Sequence, residues 1–415
     1  MKFKLISFAV FGASLWAGNQ PSVLEPLAFN INSRYTVESV ELSHEIETRI
    51  SRGLRRDLGQ LIGEKFNSAA LNNMARRIRD ELHVRTVTHH VLRGDHPDHV
   101  KVVLEVTHRR GEFELSVPKF AYHSGEGWSG AVDGTVIAGN SRFTAGLISD
   151  GDELVERYSG LRARYENRKL GTDRLRLRFE FDTYHQEWNR STVNAMARDD
   201  ALPGIYRSRQ NFEPLATLVL ARPLTVSFGM GFERFDTPFP AVRTQSANAV
   251  ITSVRYQKRI EGWDADQQDW DAGYSLRAAT GLLNSDFAYT RHRWEVHYSI
   301  RRGRQTLSDE AVAGLVTGHA PLFERYVLGN STMLRGWNKY DLDPLGGSRL
   351  VYNSLDYRYG MFDVFYDTGA IWDPGQEAVA RHSVGVGLRK NSFMLALAFP
   401  IRGHATPVFM VGMNY

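Results

Sequence analysis

The chain has 415 residues, enough for a small domain and a larger one without choosing their architecture. It contains no cysteine, which excludes a disulfide scaffold, a thiolate metal centre and a cysteine nucleophile. Lys+Arg number 51 and Asp+Glu 47, a formal charge of only +4, and the charges are scattered, so no nucleic-acid footprint stands out and no nucleic-acid partner is expected.

Lys2 and Lys4 precede an apolar stretch from Leu5 to Ala17. Its charge, length and small residues predict a secretory signal over residues 1–18, too short to span a bilayer as a helix. No other segment approaches the roughly 20 apolar residues of a transmembrane helix, so any contact of the mature chain with a membrane is expected to be made by strands.

Residues 30–110 predict a small α+β domain. Val37, Val40 and Leu42 alternate loosely in a strand from Tyr35 to Leu42. Ile46, Ile50, Leu54 and Leu58 then recur every four residues, with Leu61 and Ile62 closing an apolar helical stripe opposite Arg49, Arg52, Arg55 and Arg56. Gly63 ends that helix, Asn67 or Ser68 caps the next, and Leu71, Met74, Ile78 and Leu82 repeat the helical spacing. Two strands, Val84–Leu92 and His99–Val106, are joined by the turn-rich Arg93–Asp98. This strand-helix-helix-strand-strand order resembles a polypeptide-transport-associated (POTRA) domain. The resemblance implies a unit that contacts unfolded client strands by adding them to a sheet edge.

Past Arg109-Arg110-Gly111 the helical period gives way to a period of two through residues 111–415. Leu175, Leu177, Phe179, Phe181 and Thr183 alternate with Arg174, Arg176, Arg178, Glu180 and Asp182, and Leu224–Glu233 and Phe362–Asp367 repeat the pattern. A soluble sheet with such a charged face needs a second apolar layer, and no helix or apolar strand remains to supply one. The fold class expected is therefore mainly β: an antiparallel transmembrane barrel of about 16 strands, in an even number of roughly ten-residue segments, preceded by one POTRA-like domain. Loop lengths agree in parity. Ala138–Ser141, Arg222-Pro223, Arg302–Arg304, Tyr359-Gly360 and Lys390-Asn391 are short links on one side, with Glu261–Asp269 the exception, while the longest links, Glu187–Gln210 and Gly318–Gly346, fall on the other.

One of these long links carries Glu324-Arg325-Tyr326-Val327-Leu328-Gly329-Asn330 and then Leu334-Arg335-Gly336-Trp337. Asp356 in NSLDYR, Asp367 and Gly369 in FYDTGAIWD, and Ser383–Arg389 follow in order. This resembles the sixth extracellular loop and following strands of the BamA/TamA-type outer-membrane protein assembly and translocation superfamily, also called the bacterial surface antigen family. Asn330 stands for the second glycine of the family's Leu-Gly-Gly-like turn, a mild departure because Asn tolerates left-handed backbone conformations, and Trp337 replaces Phe or Tyr. Phe409, Val411, Met413 and Tyr415 likewise resemble a C-terminal β-signal, with Tyr where Phe is commoner.

The resemblance implies that Arg335 is received by Asp367 and Asp356 inside the barrel, and alternation agrees, since Asp367 points away from Phe362, Val364 and Tyr366. It also implies an outer-membrane location with the POTRA-like domain in the periplasm. The work implied is insertion or translocation of an unfolded outer-membrane or secreted polypeptide, or of outer-membrane lipid, with a periplasmic accessory protein. A two-partner-secretion exporter and a passive porin or structural barrel are the alternatives. No Gly-x-Ser-x-Gly, P-loop or His-Glu-x-x-His motif occurs. His292 and His297 fall on opposite strand faces, as do His89 and His90, and the acidic link Asp264, Asp266, Asp269 and Asp271 lacks the glycine and glutamate of a calcium loop. No enzyme activity, metal or cofactor is expected.

Overall fold

The computed structural model describes residues 34–413 apart from 44–45, 48–49, 83, 85, 108–111, 199–203, 238–241, 262–266 and 402–404. The expected signal segment, the Arg109–Gly111 boundary and Tyr415 lie outside the described residues. Two compact units meet in the chain between His108 and Arg109.

The first unit contains β1 (Thr36–Leu42), α1 (Arg52–Gly59), α2 (Ser68–Leu82), β2 (Thr86–Arg93) and β3 (His99–Thr107) in a three-stranded sheet of order β1-β3-β2. β2 and β3 pair antiparallel as the hairpin that their turn predicts, whereas β1 pairs parallel with β3. Parallel pairing needs a crossover, and the two helices supply it. The core unites Val37, Ile46, Leu54, Leu58, Ile78 and Leu104. Asn67 caps α2, its Oδ1 accepting from the Ala69 and Ala70 amides at 2.9 and 3.2 Å.

The first helical stripe is interrupted rather than continuous. Ile46 and Ile50 are buried, but Ser51 starts α1 afresh by accepting from the Leu54 amide, because a Ser oxygen satisfies an amide at a new helix start better than another turn would. Ile62, read as closing the stripe, is exposed, because Leu61 alone turns inward before Gly63 adopts φ +85°.

The second unit is a closed antiparallel barrel of sixteen strands, from Glu112–His123 to Val408–Met413, with a short strand, Arg243–Ser246, extending the edge of Leu224–Thr237. Side chains obey the alternation. Phe179, Phe181, Phe228, Phe362 and Val364 face outward and are exposed, while Glu180, Asp182, Glu233, Asp363 and Asp367 face the lumen and are buried. A wall apolar outside and charged inside is stable where lipid replaces water around it. No described helix is long and apolar enough to cross a membrane.

Short turns gather at one end. Gly139, Gly303, Gly360 and Asn391 begin four of them with φ between 55 and 62°, the left-handed conformation that Gly and Asn adopt most readily. The exceptional long link shortens in the structure. Strands Ala249–Glu261 and Gln267–Ala279 leave only 262–266 between them, so Asp269 and Asp271 are strand residues rather than turn residues. Arg259 and Arg255 pair with them at 2.5 and 2.6 Å, cross-strand neutralisation that sequence spacing does not reveal. Asp264 and Asp266 lie outside the described residues.

Candidate functional site in the barrel lumen

The link between strands Gln305–His319 and Arg349–Tyr359 turns back into the barrel instead of projecting from it. Tyr326 and Gly347 close its stem, each donating its amide to the other's carbonyl at 2.9 Å. Arg325 reinforces the stem by donating to the Leu345 and Gly346 carbonyls at 2.8 and 2.7 Å. Beyond the stem, Leu328, Leu334 and Trp337 join Phe323, Leu350 and Tyr352 in an apolar cluster within the barrel. Burying this surface ties the loop down without direction; the polar contacts choose its register.

Arg335 provides the strongest of these. Its amide and Nε both donate to Asp367 Oδ2 at 2.9 Å, and Nη2 donates to Asp367 Oδ1 at 2.7 Å. Nη1 donates to Asp356 Oδ1 at 3.0 Å, and Nη2 to Ser354 Oγ at 2.9 Å. Asp367 is fully buried, so a bidentate guanidinium compensates a carboxylate that water does not reach. Burial opposes the Arg335 charge, yet the Asp367 hydrogen bonds and both carboxylates outweigh it and hold its pKa above the ordinary value.

The tip needs unusual backbone. Leu334, fully buried, has φ +57°, and Gly336 has φ +101°. A Cβ on Gly336 would stand 3.1 Å from Ser383 Cβ and 3.2 Å from Ala398 Cβ, so the loop backbone lies almost against two strands. Trp337 fills the adjoining space, its indole donating to the His382 carbonyl at 2.9 Å with the Arg381 guanidinium over its ring. Gly369 faces Leu328, leaving only 3.1 Å between that side chain and a hypothetical Cβ. All seven residues singled out in the sequence thus gather around this loop: Leu334, Arg335, Gly336, Trp337, Asp356, Asp367 and Gly369.

Asn330 differs from expectation. The left-handed residue of the turn is Gly329, at φ +89°, while Asn330 keeps a negative φ. Asn330 instead acts as a cap, its Oδ1 accepting from the Thr332 and Met333 amides at 3.0 and 2.7 Å. An Asn at this position is therefore fixed by its side chain, and not by backbone tolerance.

Three participants were not assigned from sequence. Phe365 lies beneath Arg335, with the guanidinium carbon 3.6 Å from its ring centroid. Ser354 stands between the two carboxylates, 2.7 Å from Asp367 Oδ1 and 3.0 Å from Asp356 Oδ2. Glu324, at the loop's entrance, forms a second network on another part of the wall. It pairs with Arg277 at 2.9 Å and accepts from the Tyr289 hydroxyl at 2.9 Å, while Arg277 also reaches Glu213 and Glu233 at 2.8 and 2.6 Å. Inward alternation of Glu213, Glu233 and Arg277 was a usable signal; which arginine met which glutamate was not.

The last strand bears Phe409, Val411 and Met413, with Phe409 and Met413 exposed on the outer face. Its ladder with the first strand joins only Met410–Met413 to Phe120–His123 among the described residues, whereas the first strand pairs with Gly127–Ala138 along most of its length. The barrel is closed, and among the described residues its seam ladder has four residue pairs. Among the described residues no group of His, Asp and Glu could hold a metal ion. His292 faces outward beside Tyr274, its Nδ1 2.9 Å from the hydroxyl, on the strand face opposite Arg293 and Glu295.

Residues 224–403, which contain the loop and its acceptors, match the Omp85 superfamily domain. No curated protein matches the chain in sequence. Among solved structures, BamA from Haemophilus ducreyi lacking POTRA domains 1–3 is similar in fold at TM-score 0.56 and 15% identity, over 92% of this chain and 85% of that one. CdiB from Acinetobacter baumannii is similar at TM-score 0.56 and 12% identity, over 92% and 74%. Residues 224–403 thus carry an Omp85 superfamily domain, set in a closed sixteen-strand barrel whose fold is shared with BamA and CdiB.

Proposed function

We propose that this protein is an outer-membrane barrel that inserts or translocates polypeptides, using loop 6 (residues 320–348) as a latched element and the seam between its first and last strands as the place of opening. The observation that carries the reading is the pairing of a short seam ladder, Phe120–His123 with Met410–Met413, with a loop pinned to the lumen wall by Arg335. A strand pair with few ladder bonds is the cheapest place to open a closed barrel, and a docked loop fixes the wall on which that opening depends.

The POTRA-like unit would receive the client in the periplasm, with its sheet offering strand addition, and a periplasmic accessory protein would assist. Polypeptide is preferred to outer-membrane lipid as cargo because backbone hydrogen bonds at a strand edge are the recognition that the seam offers. The reading assigns no catalytic chemistry and no cofactor.

The cysteine-free chain permits a direct test. Tyr122 and Val411 are register partners across the seam, so the pair Tyr122→Cys with Val411→Cys should lock it under oxidation. Insertion of an outer-membrane client into vesicles should stop in the oxidised barrel and return on reduction; undiminished insertion by the locked form would overturn the proposal. A passive porin would keep its conductance unchanged on Arg335→Ala, whereas a latched loop predicts a rise.

A further inference from the structure

The residues following Arg335 leave one side of the seam and reach the other. Arg335, Gly336 and Trp337 touch Ser354, Asp356, Asp367, His382, Ser383 and Ala398, all on strands preceding the seam in the chain. The next residue, Asn338, donates its side-chain amide to the Gly125 carbonyl at 3.2 Å, in the turn that follows the first strand. Lys339 continues in that direction. It is 1% exposed, and its ammonium donates to the Gly151 carbonyl and, at 2.7 Å, to the Leu154 carbonyl, with the Glu126 carboxyl 3.5 Å away.

An earlier stretch of the same loop makes the same approach. Ser331 donates its amide to Asp152 Oδ1 at 2.9 Å and its hydroxyl to Oδ2, and Asn330 donates to the Asp152 carbonyl at 3.2 Å. Asp152 lies 3.4 Å from the ammonium of Lys119, which belongs to the first strand itself and also donates to Asp150 at 2.7 Å. Lys339 and Asp152 are buried, so removing the partners of either leaves uncompensated charge or unpaired polar atoms away from water. The wall before the seam and the hairpins after it are thus held by one stretch of ten residues, and the chain crosses between them at Trp337-Asn338.

We propose that residues 330–339 are a clasp across the seam, with Lys339 and Asp152 as positioning residues that keep the first and last strands together. This deepens the proposed function and rests on its lateral opening. Arg335 then holds the strap to the wall before the seam, Ser331 and Lys339 hold it to the hairpins after the seam, and the seam opens when either side lets go. A loop anchored on only one side would leave the seam, among the described residues, dependent on its four-residue ladder and the Ser124–Phe409 hydrogen bonds.

The test uses the full chain in lipid vesicles, without client. Met413→Cys and Val132→Cys, exposed on opposite sides of the seam and outside the clasp, carry spin labels whose separation is measured by pulsed resonance. Lys339→Met and Asp152→Asn should each raise the fraction of long separations by about fivefold or more, the lower end of a typical coupling between linked sites. Arg335→Ala should do the same. Ser331→Ala, which removes one hydrogen bond, and Asn338→Ala, which removes the bond to Gly125 and the cap on the Tyr340 amide, should give smaller changes of the same sign, and they carry the test should Lys339→Met fail to fold. Separations in folded variants indistinguishable from the parent would overturn the clasp. Because no client is present, that result leaves the transport reading standing, while a working clasp in a barrel that inserts nothing would overturn the transport reading alone.

Discussion

The ring of Phe365 lies directly under the guanidinium of Arg335, with 3.6 Å between the ring centroid and Cζ, and Gly385 on the neighbouring strand leaves the space that this ring occupies. A Cβ at Gly385 would fall 2.0 Å from Phe365 Cζ, an overlap that only movement of the ring can relieve. Gly385→Ala should therefore disturb the latch without touching any charged group. The expected cost is about 1–3 kcal/mol, typical of overpacking a filled site. A lowered thermal midpoint for the folded barrel on semi-native gels, with Phe365→Leu in the same chain restoring most of it, would bear this out; an unchanged midpoint for Gly385→Ala would refute it.

Removing the arginine should be worse than removing the ring. Arg335→Ala strands the fully buried Asp367 carboxylate, and leaving one member of such a pair costs about 3–5 kcal/mol. Arg335→Ala with Asp367→Asn should recover part of that loss, because no isolated charge remains. Limited proteolysis of loop 6 reads the docking equilibrium: cleavage should be fastest in the single variant. Equal cleavage of single and double variants would show that the carboxylate is not the source of the penalty.

Arg277 offers a parallel case at the other end of the loop. It compensates Glu213, Glu233 and Glu324 together, and Gly231 leaves the room in which its guanidinium sits. Arg277→Met should destabilise the loop entrance, leaving Glu324 only the weaker pair with Arg291 at 3.5 Å, by up to about 3–5 kcal/mol, the cost of breaking a buried charge pair. Glu324→Gln added to it should be less harmful than Arg277→Met by itself. A double-mutant cycle on chemical unfolding midpoints measures the coupling, and strict additivity would deny the network.

Docking of the loop should weaken as pH rises. Burial, aided by Asp152 and Asp150, pushes the Glu126 carboxyl up to about 8 from 4.5, with Lys339 pulling in the opposite sense. A carboxyl whose docked pKa is raised keeps a proton that the undocked form gives up, so docking is strongest below 4.5, falls as pH rises toward about 8, and is level above that. A spin label at Asp341→Cys, an exposed position beside Lys339, should become more mobile across this window. Glu126→Gln should flatten the profile; a profile unchanged by that substitution would assign the effect elsewhere.

In the N-terminal unit, Ile78→Ala removes a fully buried side chain from the face of α2 that meets the sheet. The expected loss is about 2–5 kcal/mol, enough to unfold so small a core. Protease digestion of the full chain should then remove residues before the barrel while the barrel band persists. Survival of the intact chain would show that the domain tolerates the cavity.

Strand alternation, the two helical stripes and the parity of loop lengths were all legible in the chain, because each reflects neighbours two to four residues apart on a regular backbone. That is why Glu180 and Phe181 could be assigned to opposite faces, and why Arg335, Asp356 and Asp367 could be named together once their order resembled a known family. The same local reasoning misread what depends on distant partners. It merged Ile46–Leu58 into one helix because spacing does not show that Ser51 caps a fresh start, and it gave Asn330 a backbone role because the amides that its side chain serves are set by the folded turn. It left Phe365 beneath Arg335, Glu324 against Arg277 and Lys339 against Glu126 unassigned. Those contacts join residues from 30 to more than 200 positions apart, and barrel closure together with an inward loop brings them within a few ångströms. Alternation decides only that a charged side chain enters the lumen; the tertiary structure decides what it meets there, since a buried charge takes whichever partner the curvature of the wall places within reach.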